Sequence, residues 1–258
     1  MGFEIKNHIL IKYTNESDMT EITIPDDVTE IGYAAFDCRT ILKKINLPPK
    51  LKIIQAGAFE QCTSLEHITF PEGLERIEGS AFFDTNIKEA DIPESVTFIG
   101  SCAFGAPNYD FGWITLNFHK NQKKTRMRFG VLWLGYTPEL RILDFFDNPC
   151  YEKFSLLESD YKIQIAVSYY DVDDNIKNYL KRIIKKAVTL AIDRNDTELL
   201  TDLLNTGFIT KKNIDFMIQY AIEHTQKNGN PEFQVMLTDY KYQHFPADTN
   251  RITKKLKL

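Results

Sequence analysis

The chain has 258 residues, of which 43% are hydrophobic and 26% charged, a balance that supports a packed core, excludes disorder of the whole chain and favours two domains over one. Its net charge of −5 is unevenly spread: residues 1–110 carry 9 basic and 18 acidic side chains, whereas 111–258 carry 22 and 18, which fits two structural units. No run of 18 apolar residues exists, and MGFEIKNHIL lacks the basic and long apolar segments of a secretory signal, so a cytoplasmic protein without a membrane partner is expected.

The first predicted element is FEIKNHILIKYT (3–14), whose alternation suits a strand or hairpin that covers the end of whatever follows. Next comes a repeat. Ala-Phe pairs recur at Ala35-Phe36, Ala58-Phe59, Ala81-Phe82 and Ala103-Phe104, in steps of 23, 23 and 22 residues, and Pro25, Pro48, Pro71 and Pro93 keep the same register. Before each proline stands an alternating pair, Ile22/Ile24, Ile45/Leu47, Ile68/Phe70 and Ala90/Ile92, and earlier still an apolar residue, Met19, Leu42, Leu65 or Ile87. Such phasing predicts a solenoid whose coils each give a short strand, a turn at proline, a second extended piece and a tight turn at Ala-Phe. The phenylalanines should stack from coil to coil, with the small residues Ala34, Gly57, Ser80 and Cys102 allowing close approach.

The segments VTEIGYAAFDCRTILKKINLP, LKIIQAGAFEQCTSLEHITFP and VTFIGSCAF resemble the BspA-type leucine-rich repeat over about residues 19–104. Cys62 falls on that family's cysteine position and Cys38 one residue early, while Gln55 and Glu78 replace its usual glycine. The resemblance implies a bacterial recognition scaffold.

Residues 111–136 read as two apolar strand-like runs around a basic turn, with Trp113, Leu116, Phe118, Phe129, Leu132 and Trp133 closing the last coil. From Pro138 the pattern becomes helical, with starts expected at Pro138, Asp173/Asp174, Asp196 and Thr210. Within it, Ala187, Leu190 and Ala191, then Leu199, Leu200, Leu203 and Leu204 before Gly207, describe two short amphipathic helices, and a second copy follows through Ala221 and Leu237. This phrasing resembles the helical parts of ankyrin repeats, though the T-P-L-H start of that family is absent. The expected fold class is therefore α+β: a short leucine-rich-repeat β-solenoid with caps over 1–136, then an α-helical, ankyrin-like domain over 137–258.

Catalytic signals are missing. There is no phosphate-cradling glycine loop, no G-x-S-x-G and no H-E-x-x-H, and the five histidines are scattered. Cys38, Cys62, Cys102 and Cys150 form no C-x-x-C pair, so free buried thiols are expected and neither a metal nor a cofactor is called for. Asp171, Asp173 and Asn175 imitate the start of a calcium loop, but Ile176 stands where glycine is needed and Arg182 where a glutamate is needed, so a helix N-terminus accounts for them better.

Two kinds of surface remain. Residues alternating with the buried set of each strand, Glu21 and Thr23, Lys44 and Asn46, His67 and Thr69, Glu89 and Asp91, should form two polar columns fit to bind a protein partner. Alternatively, the basic clusters Lys120, Lys123, Lys124, Arg126 and Arg128, and Lys181, Arg182, Lys185 and Lys186, would suit a nucleic-acid-binding regulator.

Overall fold

The computed structural model describes residues 2–14, 19–105, 113–130, 138–228 and 230–246. They form two compact units, 1–168 and 169–258. The strands are β1 (Phe3–Lys6), β2 (Ile9–Tyr13), β3 (Glu21–Thr23), β4 (Glu30–Ile31), β5 (Lys44–Asn46), β6 (Ile53–Ile54), β7 (Arg76–Ile77), β8 (Glu89–Ile92), β9 (Phe98–Ile99), β10 (Trp113–Lys120) and β11 (Lys123–Gly130). The helices are α1 (Pro138–Asp147), α2 (Tyr151–Ser155), α3 (Ser159–Tyr169), α4 (Asp174–Asp193), α5 (Thr197–Asn205), α6 (Ile214–Asn228) and α7 (Glu232–His244).

In the first unit the repeat winds as a solenoid. One sheet runs β1-β2-β4-β6-β7-β9, parallel from β2 onward, and joins the second extended piece of every coil. Each coil places one β-branched residue in the interior, Ile31, Ile54, Ile77 and Ile99, all fully buried. The Ala-Phe turns form a hydrogen-bonded stack of their own. Phe36 N–H donates to Ala58 O, Phe59 N–H to Ala81 O and Phe82 N–H to Ala103 O, at 2.8, 2.8 and 2.7 Å.

Behind these turns the rings stack as expected, with centroids 5.0 Å apart for Phe36–Phe59, 5.1 Å for Phe59–Phe82 and 5.3 Å for Phe82–Phe104. That spacing is close to the distance between neighbouring strands, so one ring per coil fills the axis without a gap. The column also continues backwards. Tyr13 stacks on Phe36 at 5.4 Å, and its N–H donates to Ala35 O, so β2 is itself a degenerate coil in register with the repeat. Its alternation alone suggests only a cap, since Lys12 precedes Tyr13 where the repeats have alanine.

The small residues before Ala-Phe have a stronger role than close approach. Ala34, Gly57, Ser80 and Cys102 all adopt left-handed backbone, with φ of 50°, 63°, 55° and 55°. A second left-handed residue follows in three coils, at Cys38, Gln61 and Asp84. Short or unbranched side chains tolerate this region better than β-branched ones.

Both ends of the solenoid are closed. The N-terminal hairpin β1–β2 turns at Asn7 and His8, both left-handed, as a two-residue hairpin requires. At the other end β10 pairs parallel with β8 and antiparallel with β11 through an Asn121–Gln122 turn of the same kind. Leu116, Phe118 and Phe129 are buried there as expected; the side chain of Trp113, and Leu132 and Trp133, lie outside the described residues. Phe118 packs on Phe146 of α1, and Phe129 on Tyr161 of α3. These contacts attach α1 and α3 to the first unit, which runs to Ser168.

In the second unit α4 pairs with α5 and α6 with α7, and the two hairpins stack α4 on α6 and α5 on α7. Asp173 caps α4 by accepting from Asn175 N–H at 2.7 Å, and Asp196 caps α5 by accepting from Leu199 N–H at 3.0 Å. Helix α6 starts at Ile214, later than the expected Thr210, because Asn213 accepts from Thr210 N–H at 2.8 Å and holds 210–213 as a turn.

Two other expectations are corrected. Met19 is 45% exposed while Leu42, Leu65 and Ile87 are buried; it stands at the start of the first full coil, where its Sδ accepts from Tyr13 Oη at 3.5 Å. Of the four thiols only Cys62 is buried; Cys38 is exposed on its left-handed turn, and Cys102 and Cys150 are half-buried.

Candidate functional site

The eight strand-face residues occupy one side of the solenoid because strand side chains alternate: Ile22, Ile45, Ala90 and Ile92 point inward and their neighbours outward. Pairing sets their alignment, with Glu21 beside Lys44, Thr23 beside Asn46, and Lys44 bridged to His67. The columns are not one continuous sheet. They form a two-stranded ladder, β3-β5, and a three-stranded ladder, β11-β10-β8, with the His67–Thr69 coil joined to the first by the isolated Lys44–His67 bridge and by Glu66 N–H donating to Lys43 O at 3.3 Å. The step from the His67–Thr69 coil to β8 is 22 residues, against 23 for the steps before it.

On the first ladder the charges neutralise one another. Lys44 Nζ lies 2.7 Å from Glu21 Oε1, and Asn46 donates to both Glu21 Oε1 and Thr23 Oγ1. Hydrogen bonding by Lys44, then by Asn46, holds the Glu21 carboxyl below its ordinary range. On the second ladder Glu89 accepts from Asn117 at 2.6 Å, while Asp91 meets His119 Nε2 at 2.9 Å and Lys124 Nζ at 3.3 Å. The His119 hydrogen bond is the main reason that the Asp91 carboxyl is also held below its ordinary value. His67 and Thr69, in the middle, are exposed.

Strands β10 and β11 therefore lengthen the face beyond the eight residues. His119 and Lys124 are exposed beside Asp91, whereas Asn117 is 1% exposed and belongs to the support. The sequence holds a signal for this extension, since Thr115, Asn117 and His119 alternate with buried Leu116 and Phe118 as the repeat strands do.

The first basic cluster does not form an open patch. Lys120 is 6% exposed, and its ammonium donates to Glu94 O at 2.6 Å and Val96 O at 2.7 Å, which ties the hairpin to the last coil. Burial pulls its pKa down, opposed by Asp147 and Glu94. Lys124 is committed to Asp91, and Lys123, Arg126 and Arg128 are engaged as well. In the second cluster, Lys181, Arg182, Lys185 and Lys186 all lie exposed on α4, as the helical spacing predicts. Asp173, one of the calcium-loop mimics, is spent on capping that helix.

The motif-bearing part of the chain matches a known family. Residues 11–109 fit the family model for the BspA type leucine rich repeat region, in 6 copies. A leucine-rich repeat protein from Bacteroides ovatus ATCC 8483 is 43% identical over 31% of this chain and 21% of its own, with a TM-score of 0.31. The T. pallidum leucine rich repeat protein is 26% identical over 40% of this chain and 62% of its own (TM-score 0.34). The pneumococcal vaccine antigen PcpA is 29% identical over 38% of this chain and 24% of its own (TM-score 0.35). The aligned part thus spans less than two thirds of each of these solved proteins. No curated protein matches the chain. The solenoid of the first unit is of the leucine-rich-repeat kind, carried by residues 11–109.

Proposed function

We propose that this chain is a non-enzymatic protein-interaction module that reads a protein partner through the strand face of its solenoid. The observation that carries the reading is the row of exposed side chains from Glu21 through Lys44, His67 and Glu89 to Asp91, standing on coils fixed by the phenylalanine column. A surface built on such a core loses little conformational freedom on binding, which favours recognition without rearrangement. The ion pairs along it are exposed and weak, so a partner can exchange them for its own charges at small cost.

The second unit is read as ankyrin-like. Two stacked helical hairpins, with Ala191 and Ala221 buried at equivalent places, support that reading and offer a second rigid surface.

Replacing Lys44, His67 and Glu89 together by alanine tests the main reading. The variant should keep wild-type circular dichroism and urea unfolding while losing a protein captured by the wild-type chain from its native cell extract. Undiminished capture removes the strand face from the proposal.

A further inference from the structure

The charges of the second unit are arranged differently from those of the solenoid. Lys177 pairs with Asp174 and Lys241 with Asp215, as surface lysines of a mixed-charge protein usually do. Six other cations, Lys181, Arg182, Lys185 and Lys186 on α4 and Lys211 and Lys212 just before α6, are exposed, and among the described residues none of them has a carboxylate partner. Two of them are tied to aromatic rings that link α4 to this part of the unit. Lys181 Nζ sits 5.2 Å from the Phe208 centroid and Lys185 Nζ 5.1 Å from that of Phe216. Lys181 and Lys185 are one helical turn apart, about 6 Å along α4, so the rings hold two ammonium groups in a fixed row. Phe216 is 49% exposed, with Tyr220 at 6.3 Å beside it. The neighbouring carboxylate, Asp215, is already bound to Lys241 at 2.7 Å.

We propose that this face of α4 and the start of α6 binds single-stranded nucleic acid. Unpaired cations in a row meet successive phosphates, and their screening ions are released on binding. An exposed ring inside that row gives an unpaired base a stacking partner, which an acidic peptide does not need and a duplex, whose base faces are covered, cannot use. A membrane surface fits less well, because the one large exposed apolar side chain here is surrounded by charged and polar groups, not by an apolar face.

Fluorescence anisotropy with labelled 20-mers of deoxythymidine and of uridine, titrated across salt with the full chain, tests this. With four cations engaged, the slope of log K against log salt should be about −3, from about −0.7 per phosphate contact on single strands. Lys181→Glu with Lys185→Glu should weaken binding at least about tenfold at low salt. The paired glutamine variant, Lys181→Gln with Lys185→Gln, should make the slope shallower by about 1.4 and reads charge alone should the glutamates disturb α4. Phe216→Ala should weaken binding by about fivefold or more while leaving the slope unchanged. Absence of binding at low salt overturns the proposal, as does binding that survives all these substitutions. Equal affinity for a duplex of the same length, or binding only to phosphatidylserine vesicles, overturns it too.

Discussion

The side-chain amide of Gln164 on α3 is bonded to both backbone polar groups of Arg128 on β11: its Oε1 accepts from Arg128 N–H at 2.6 Å and its Nε2 donates to Arg128 O at 3.3 Å. Strand β11 is the last of its sheet, so a single glutamine, 4% exposed, takes the place of the next strand at this point. Edge strands left open invite pairing with other chains, and covering them with a helix is a common remedy.

Gln164→Ala should therefore lower stability by about 1–3 kcal/mol, the cost of removing the side chain that pairs these half-buried backbone groups. Urea unfolding gives the first number. Sedimentation velocity gives the second readout, since the uncovered edge should raise self-association. A variant as stable and as monodisperse as the wild type would show that the amide adds nothing to the closure.

The ring column gives a larger effect. Phe59 is fully buried between Phe36 and Phe82, so Phe59→Ala should cost about 3–5 kcal/mol. Phe59→Leu should cost less, because it keeps most of the volume. A loss under about 1 kcal/mol for the alanine variant would mean that the coils do not depend on the stack.

The left-handed turns predict opposite signs at equivalent positions. Ala34→Gly should stabilise by up to about 1 kcal/mol, because glycine occupies φ near 50° without the Cβ penalty. Gly57→Ala should destabilise by a similar amount, about 1 kcal/mol, and its new Cβ would also lie 3.0 Å from Glu60 Oε2. Thermal unfolding of the pair decides the matter, and shifts of the same sign would contradict the assignment.

Asp91 links the strand face to pH. Its carboxyl is held below the ordinary 3.8, first by the His119 hydrogen bond and also by Lys124. As pH falls through 3.8 the unfolded chain takes up this proton before the folded chain does. The stabilisation is thus complete above that range and disappears as pH drops through the folded value. An NMR titration should place the Asp91 midpoint below 3.8 in the wild type and closer to 3.8 in His119→Ala. An unchanged midpoint would contradict the His119 contact.

Much of the solenoid could be read from the sequence because its determinants are local and repeated. Phe36, Phe59, Phe82 and Phe104 mark the column, and Ile22, Ile45 and Ile92 mark the inner strand positions. The tolerance of Gln55 and Glu78 at glycine positions was less legible. A Cβ on Gly100 would lie 2.3 Å from Gly79 N, so that coil requires glycine. Gln55, however, uses its side chain to accept from Tyr33 N–H at 2.8 Å, and Glu78 binds Arg76 at 2.8 Å. Lys120 shows the limit of reading charge from sequence. It looks like one more cation of a basic turn, yet non-local contacts to Glu94 O and Val96 O bury it. The attachment of α3 to β11 was hidden for the same reason, since it rests on Gln164 and Tyr161, residues with no local signature.

Hydrogen exchange on the wild-type chain, with and without a protein captured from its native cell, tests the central claim most directly. Recognition through the strand face requires slower exchange on binding at 44–46, 67–69 and 89–92, with the Ala-Phe turns unaffected. Protection confined to the turns or to the second unit would contradict it.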